Sequence, residues 1–235
     1  MGYRLFIFSV LLFQAAAFGH NLPDTVKWPL GRAYIPVGFD DNDNAQVTVV
    51  GTFPSTCYKV GPAKSEVDTA SHKIFLTQEA YQYSSDMCLT MMVPFTETIN
   101  VGLVQAGQYQ LVDLVSGSAL GDMPITVSEK ATPDDFLYVP VSDAYVRSNP
   151  ATKIKELYLT GTMADRCTKL DRVEIHYYAD TIVVQPIGKP VGQHCAGPMT
   201  RFQYSAPIPD AVKGTYLLHV RTMNGQAVNK LVDIE

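Results

Sequence analysis

The chain has 235 residues with 18 basic and 23 acidic side chains, and removing a leader that contains Arg4 lowers the basic count to 17. That mildly acidic balance offers no basic surface for nucleic acid or for an anionic membrane. Charged residues are only 17% of the chain, and 13 tyrosines and 15 prolines stand among many Val and Thr, a balance that favours short strands and turns over helices.

Residues 1–19 have the form of a signal peptide. Arg4 and the α-amino group make a short positive region, Leu5 to Phe13 is apolar apart from Ser9, and Ala15 to Gly19 supplies small residues for cleavage. The apolar run is too short to span a bilayer. Cleavage after Gly19 would leave His20 as the mature N-terminus; cleavage after Ala17 also fits. No later stretch approaches 18 apolar residues, so no membrane span is predicted, and the protein is expected to be exported, to the periplasm or outside the cell. Four cysteines in an exported chain point to disulfides, with three possible pairings.

An internal repeat organises the rest of the chain. Strands are predicted over 33–38, 45–51, 57–60, 73–77, 89–94, 98–103, 108–115 and 123–128, with the alternation of half-buried strands clearest at Val47/Val49. Val47-Thr48-Val49-Val50-Gly51-Thr52 returns as Leu157-Tyr158-Leu159-Thr160-Gly161-Thr162, and a cysteine follows six residues after each glycine, at Cys57 and Cys167. A second cysteine comes at Cys88 and Cys195, and nineteen residues beyond it both copies read Gly-x-Tyr, at Gly107-Gln108-Tyr109 and Gly214-Thr215-Tyr216. Tyr34-Ile35-Pro36-Val37 similarly echoes Tyr138-Val139-Pro140-Val141. The repeat selects Cys57 with Cys88 and Cys167 with Cys195. It predicts an all-β protein of two tandem antiparallel Ig-like β-sandwich domains, at 30–130 and 132–235. The connection from Thr132 to Pro140 would join them as a semi-rigid rod. Trp28, the only tryptophan, precedes both units.

Phe39-Asp40-Asp41-Asn42-Asp43, Gly51-Thr52-Phe53-Pro54, Cys57-Tyr58, Pro94-Phe95 and Gly107-Gln108-Tyr109 resemble a family of small secreted bacterial proteins with tandem disulfide-stapled β-sandwich repeats and no assigned activity. The resemblance covers most of the first copy and implies export and a β-sandwich; it brings no catalytic residue with it.

The most conspicuous polar cluster is Asp40-Asp41-Asn42-Asp43-Asn44. Calcium takes six to eight oxygen ligands, and Asp40, Asp41, Asp43 and Asn44 are donors of the right type. The string also resembles the calcium-binding linker of cadherin repeats, although the second copy has Ser142-Asp143-Ala144 in its place. The alternative is a solvated Asx-rich turn. A free His20 could chelate copper through its amine and imidazole, resembling the histidine brace of periplasmic copper carriers and copper-dependent polysaccharide oxygenases. A second ligand would come from His72, His176, His194 or His219. Met87, Met91 and Met92 are soft donors for reduced copper, but Met91 and Met92 fall in a predicted apolar strand, where core packing is the expected role.

No nucleophile elbow, zinc-protease motif, Cys-x-x-Cys or phosphate loop is present. His176, beside Tyr177-Tyr178, is expected to be structural, and Tyr81, Tyr83, Tyr177 and Tyr178 are placed at loops or strand edges as contact residues. The expectation is a non-catalytic binding or structural module with no obligatory cofactor, calcium being the candidate. Its partner would be an envelope protein or a surface glycan; the sequence leaves the oligomeric state open.

Overall fold

A computed structural model describes residues 22–235, apart from 85–86, 131–133, 165, 193–194 and 196. The predicted signal peptide at 1–19, His20 and His194 lie outside the described residues. Sixteen strands and no helix occur among the described residues, and no helix there is long and apolar enough to cross a membrane.

The first half contains β1 (Asp24–Trp28), β2 (Arg32–Tyr34), β3 (Phe39–Asp40), β4 (Ala45–Phe53), β5 (Tyr58–Asp68), β6 (Lys73–Gln82), β7 (Val93–Gly102), β8 (Gly107–Asp113) and β9 (Ala119–Thr126). The second contains β10 (Val141–Ser148), β11 (Lys155–Met163), β12 (Thr168–Tyr177), β13 (Thr181–Pro190), β14 (Thr200–Pro207), β15 (Gly214–Thr222) and β16 (Gln226–Ile234). A small sheet β10-β11-β14 faces a larger one, β12-β13-β15-β16. The first half repeats the plan as β2-β4-β7 and β5-β6-β8-β9, with β1 added beside β6 and β3 beside β9.

Each sandwich closes on its own apolar centre. Val47, Val49 and Ile99 meet Ile74, Leu76, Leu111 and Met123 in the first half; Leu157 and Leu159 meet Ile182, Val184, Leu218 and Val220 in the second. Each such side chain stabilises the fold by about 1.5–3 kcal/mol through burial. The repeated glycine has a packing cause. Gly51 pairs across the sheet with Phe95, and Gly161 with Phe202. A Cβ would lie 2.4 Å from the Phe95 ring in one case and 2.5 Å from the Phe202 ring in the other. Each aromatic ring covers the bare backbone of its partner.

Disulfides join Cys57 to Cys88 and Cys167 to Cys195, with Cα separations of 5.3 and 4.9 Å. Each ties the loop after β4 or β11 to the loop after β6 or β13. Closing loops of this length removes roughly 3–4 kcal/mol of unfolded-chain entropy, and two such bonds suit an oxidising, exported environment.

The structure departs from the sequence expectations at several places. The sheets are not wholly antiparallel: β6 runs parallel to β8, β13 to β15 and β3 to β9. The cause is topological, because β7 (or β14) crosses to the opposite sheet and the chain then returns in its original direction. In place of the predicted strands 89–94 and 98–103 there is one strand, β7, which starts only at Val93 and runs without a break to Gly102. Polar Thr96 and Thr98 look like an interruption, but they lie on the outer face, where Thr98 bonds Thr48 at 3.1 Å.

Met91 and Met92 lie outside that strand and are 52% and 63% exposed, not packed in a core. The Cys57–Cys88 bond and reciprocal hydrogen bonds between Thr56 and Leu89 hold this loop back, so pairing with β4 begins only at Val93. Trp28 belongs to the first sandwich through β1. Its ring lies 5.3 Å from Phe53 and 5.0 Å from Tyr58, and its Nε1 donates to Thr52 O. Tyr81 lies within β6, flanked by β1 and β5 and not at a sheet edge, and Tyr177 packs against the second core; both are half-buried. Tyr83 and Tyr178 are exposed, and His176 stands exposed on β12.

Candidate functional site at the joint between the halves

The sheet formed by β12, β13, β15 and β16 is buried on both faces around β13 and β15. Ile182, Val184, Leu218 and Val220 point into the second core, while Thr181, Val183, Leu217, His219 and Arg221 are also buried on the opposite face. The first half covers that opposite face, with Gln46 and Thr48 of β4 buried in turn. The halves therefore meet through a packed polar joint and not only through the connecting segment.

The acidic string forms the first half's side of this joint. Its loop, between β3 and β4, is an Asx turn held by its own side chains. Asn42 N donates to Asp40 Oδ1, Asp40 N to Asp43 Oδ2 and Ser128 N to Asp41 Oδ1, at 3.1, 3.1 and 2.9 Å. Asn42 Nδ2 donates to Lys130 O, and Asn44 Nδ2 to Gly225 O across the joint. The turn is only partly solvated: Asp40 and Asp43 are 7% and 6% exposed, while Asp41, Asn42 and Asn44 are half-buried.

From the other side, Arg221 Nη1 donates to Asp43 Oδ2 at 3.1 Å and its Nη2 donates to the Gly38 carbonyl. The guanidinium lies over the Phe39 ring, 5.3 Å from its centre. His219 meets the same ring edge-on at 5.6 Å. With Asn229 Oδ1 as acceptor at 2.7 Å, His219 Nδ1 carries the proton, and Asn229 Nδ2 then donates to Gln46 Oε1 at 2.8 Å. Beyond them, Asp134 accepts the backbone N–H groups of Asn224 and Gly225. These two residues turn the β15–β16 hairpin with φ of 62° and 64°, the left-handed pair that Asn-Gly adopts readily.

Burial governs the electrostatics. It pushes the Asp43 carboxyl above its usual range even though Arg221 pulls it down, and it likewise raises Asp40. Asp41, at the edge, is held low by Ser128. Burial lowers His219 to about 4, so its imidazole is neutral at physiological pH, and raises the Tyr138 phenol. The cavity among Phe39, Asp43, Tyr138, His219 and Arg221 holds about 20 Å³, the room of a single water, far below a substrate pocket.

Asp40, Asp41 and Asp43 thus share one turn, but each commits an oxygen within the protein: Asp40 to the turn's backbone, Asp41 to Ser128, and Asp43 to the turn's backbone and Arg221. Among the described residues no group of three or more His, Cys, Asp or Glu side chains is placed to hold a metal ion. The larger hollows are open grooves. One of about 630 Å³ is lined by Ser142, Thr160, Arg201 and Gln203 among others, one of about 590 Å³ by Trp28, Leu30, Phe95 and Leu231 among others, and one of about 430 Å³ by Met163, Arg166, Lys169 and Phe202 among others. None of these linings includes a histidine, a carboxylate or a thiol.

Arg221 and Asn229 were not legible as site residues in the sequence, and His219 stood out there only as one of four histidines that could complete a copper site. The available signal was the run Leu217-Leu218-His219-Val220-Arg221, in which buried-type polar residues occupy the face that a solvated strand would fill with small polar ones.

Taken together, the two stapled sandwiches and their polar joint define an all-β protein of the β-sandwich class. The model of the ORF11 beta-sandwich domain matches residues 47–112 and 157–234, one segment in each half and together more than half of the chain. The chain belongs to that family. No curated protein and no solved structure matches it.

Proposed function

We propose that this protein is a non-catalytic binding module of a bacterial envelope or secretome, two stapled sandwiches locked at fixed orientation so that surfaces on both halves meet one partner together. The observation that carries the reading is the buried Arg221–Asp43 pair at the joint, backed by His219, Asn229 and Gln46. Buried polar partners with matched geometry specify one arrangement of two bodies, because any other leaves charges desolvated and unpaired. Most of the polar groups that converge here are spent on each other, although Arg221 Nε and Asn42 Oδ1 are buried without a hydrogen-bond partner among the described residues, and this mutual pairing supports an architectural role for them. The partner is an envelope protein or a surface glycan, met in the periplasm or outside the cell.

The test has two arms. The mature chain, immobilised, is presented with surface glycans and with envelope extract, and each retained partner is re-tested against Arg221→Leu, which frees the halves. Partner binding that weakens at least tenfold in the variant supports the reading. A hydrolase or oxidase activity in the purified chain, abolished by one polar substitution, overturns it.

A further inference from the structure

We propose that Met87, Met91 and Met92 form a binding site for a soft monovalent metal ion, copper(I) or silver(I), on the disulfide-pinned loop between β6 and β7. The three thioethers fall within six residues of chain and are 88%, 52% and 63% exposed, so hydrophobic packing does not account for them. Exposed methionine is an uncharged, polarisable donor that needs no deprotonation and selects soft ions. In an exported chain whose four cysteines are all in disulfides, thioethers are the soft sulfur ligands that remain.

Three features favour convergence. At most about 14 Å of extended chain separates Met87 from Met91, and the backbone turns at Met87 and bends at Met91, which shortens the span. Cys88 is bonded to Cys57, while Leu89 exchanges hydrogen bonds with Thr56, so the loop base is fixed at two adjacent points. Three rotatable bonds on each methionine give the sulfurs the reach to turn toward a common ion.

The second half supplies the internal comparison. Its disulfide pins the corresponding loop between β13 and β14, yet that loop carries a single methionine, Met199, 73% exposed. The fold therefore does not require a methionine cluster at this place; only one copy has it.

The experiment titrates the mature, disulfide-intact protein with silver nitrate, a redox-inert stand-in for copper(I), and follows methionine methyl resonances. The expected result is one ion per chain, shifts at Met87, Met91 and Met92, and none at buried Met123 or at solitary Met199. Replacing all three by leucine should lower affinity at least a hundredfold, and each single replacement about tenfold. Absence of shifts at tenfold excess of silver overturns the proposal, as does unchanged affinity in a folded triple variant. If the triple variant fails to fold, the shift pattern in the natural protein decides alone.

Discussion

Strands β8 and β15 occupy the same place in the two sandwiches, each opening with Gly-x-Tyr and lying parallel to its neighbour, β6 or β13. Their inward residues are alike, Leu111 matching Leu218 in the cores. Outward they differ. Counted from the glycine, His219 stands where the first copy has Val112, and Arg221 where it has Leu114, which is 48% exposed. The converse holds on the other partner: the acidic string that receives Arg221 stands just before β4 in the first copy, while the turn before β11 in the second, residues 149–154, carries no acid, and Ser142-Asp143-Ala144 lies in β10. Each copy carries one side of the ion pair. The core face of the sandwich sustains the fold, while the outer faces have diverged into complementary halves of a joint, so the comparison separates what the fold needs from what the pairing needs.

The largest effect should come from breaking that asymmetry. Arg221→Ala leaves the Asp43 carboxylate buried and unpaired, and stability is expected to fall by about 3–5 kcal/mol in denaturant melts. Leu114→Ala at the equivalent exposed position should change it by less than about 0.5 kcal/mol. Equal losses at the two sites would mean that the joint is not specific to the second copy's strand.

His219 gives the next largest. Its folded-state pKa of about 4 lies below the 6.5 of a free imidazole. Between those values the unfolded chain takes up a proton that the folded chain refuses, so stability is unaffected above pH 6.5 and falls as pH drops toward 4. At about 1.4 kcal/mol per pH unit the loss reaches about 3 kcal/mol. Asp40 and Asp43, whose pKa values are raised, act in the opposite direction, since protonation relieves their burial as pH falls. Subtracting the melt of His219→Gln from that of the natural protein at each pH isolates the histidine. A difference independent of pH would place His219 in contact with water.

Smaller are the glycine substitutions. Gly51→Ala drives a methyl into the Phe95 ring and should cost about 1–3 kcal/mol, whereas a methyl at Gly161 also runs into the Pro140 carbonyl oxygen, so Gly161→Ala should cost at least as much. Absence of a cost at Gly51 would show that the aromatic cover is dispensable in the first copy. The smallest expected change is at the rim of the joint. Arg32 and Asp180 pair at 2.9 Å across it, but Arg32 is 54% exposed, and Arg32→Ala should cost less than about 1 kcal/mol and lose its effect at high salt.

Legibility in the sequence tracks distance along the chain. Strand character is written in alternation over a few residues, and Val47/Val49 and Leu157/Leu159 show it. The repeat, by aligning Cys57 with Cys167 and Cys88 with Cys195, also chooses the disulfide pairing that spacing alone leaves open. The acidic string is visible as a cluster but ambiguous as chemistry, because Asp and Asn serve equally as ligands, as turn formers and as partners for a distant arginine. The exposed methionines look like members of a core strand, since Leu89 to Val93 is largely apolar and nothing local reveals that a disulfide at Cys88 withholds it from the sheet.

The sequence by itself determined the β class, the duplication, the stapling and the polarity of each strand face, because these depend on side chains within one or two turns of chain or on self-comparison. Only the tertiary structure decided that β6 and β8 run parallel, that Trp28 joins the first core, and that Asp43 meets Arg221 from 178 residues away. Those outcomes rest on how two sheets and two halves pack in space, where the deciding contacts join residues whose separation along the chain carries no periodic signal.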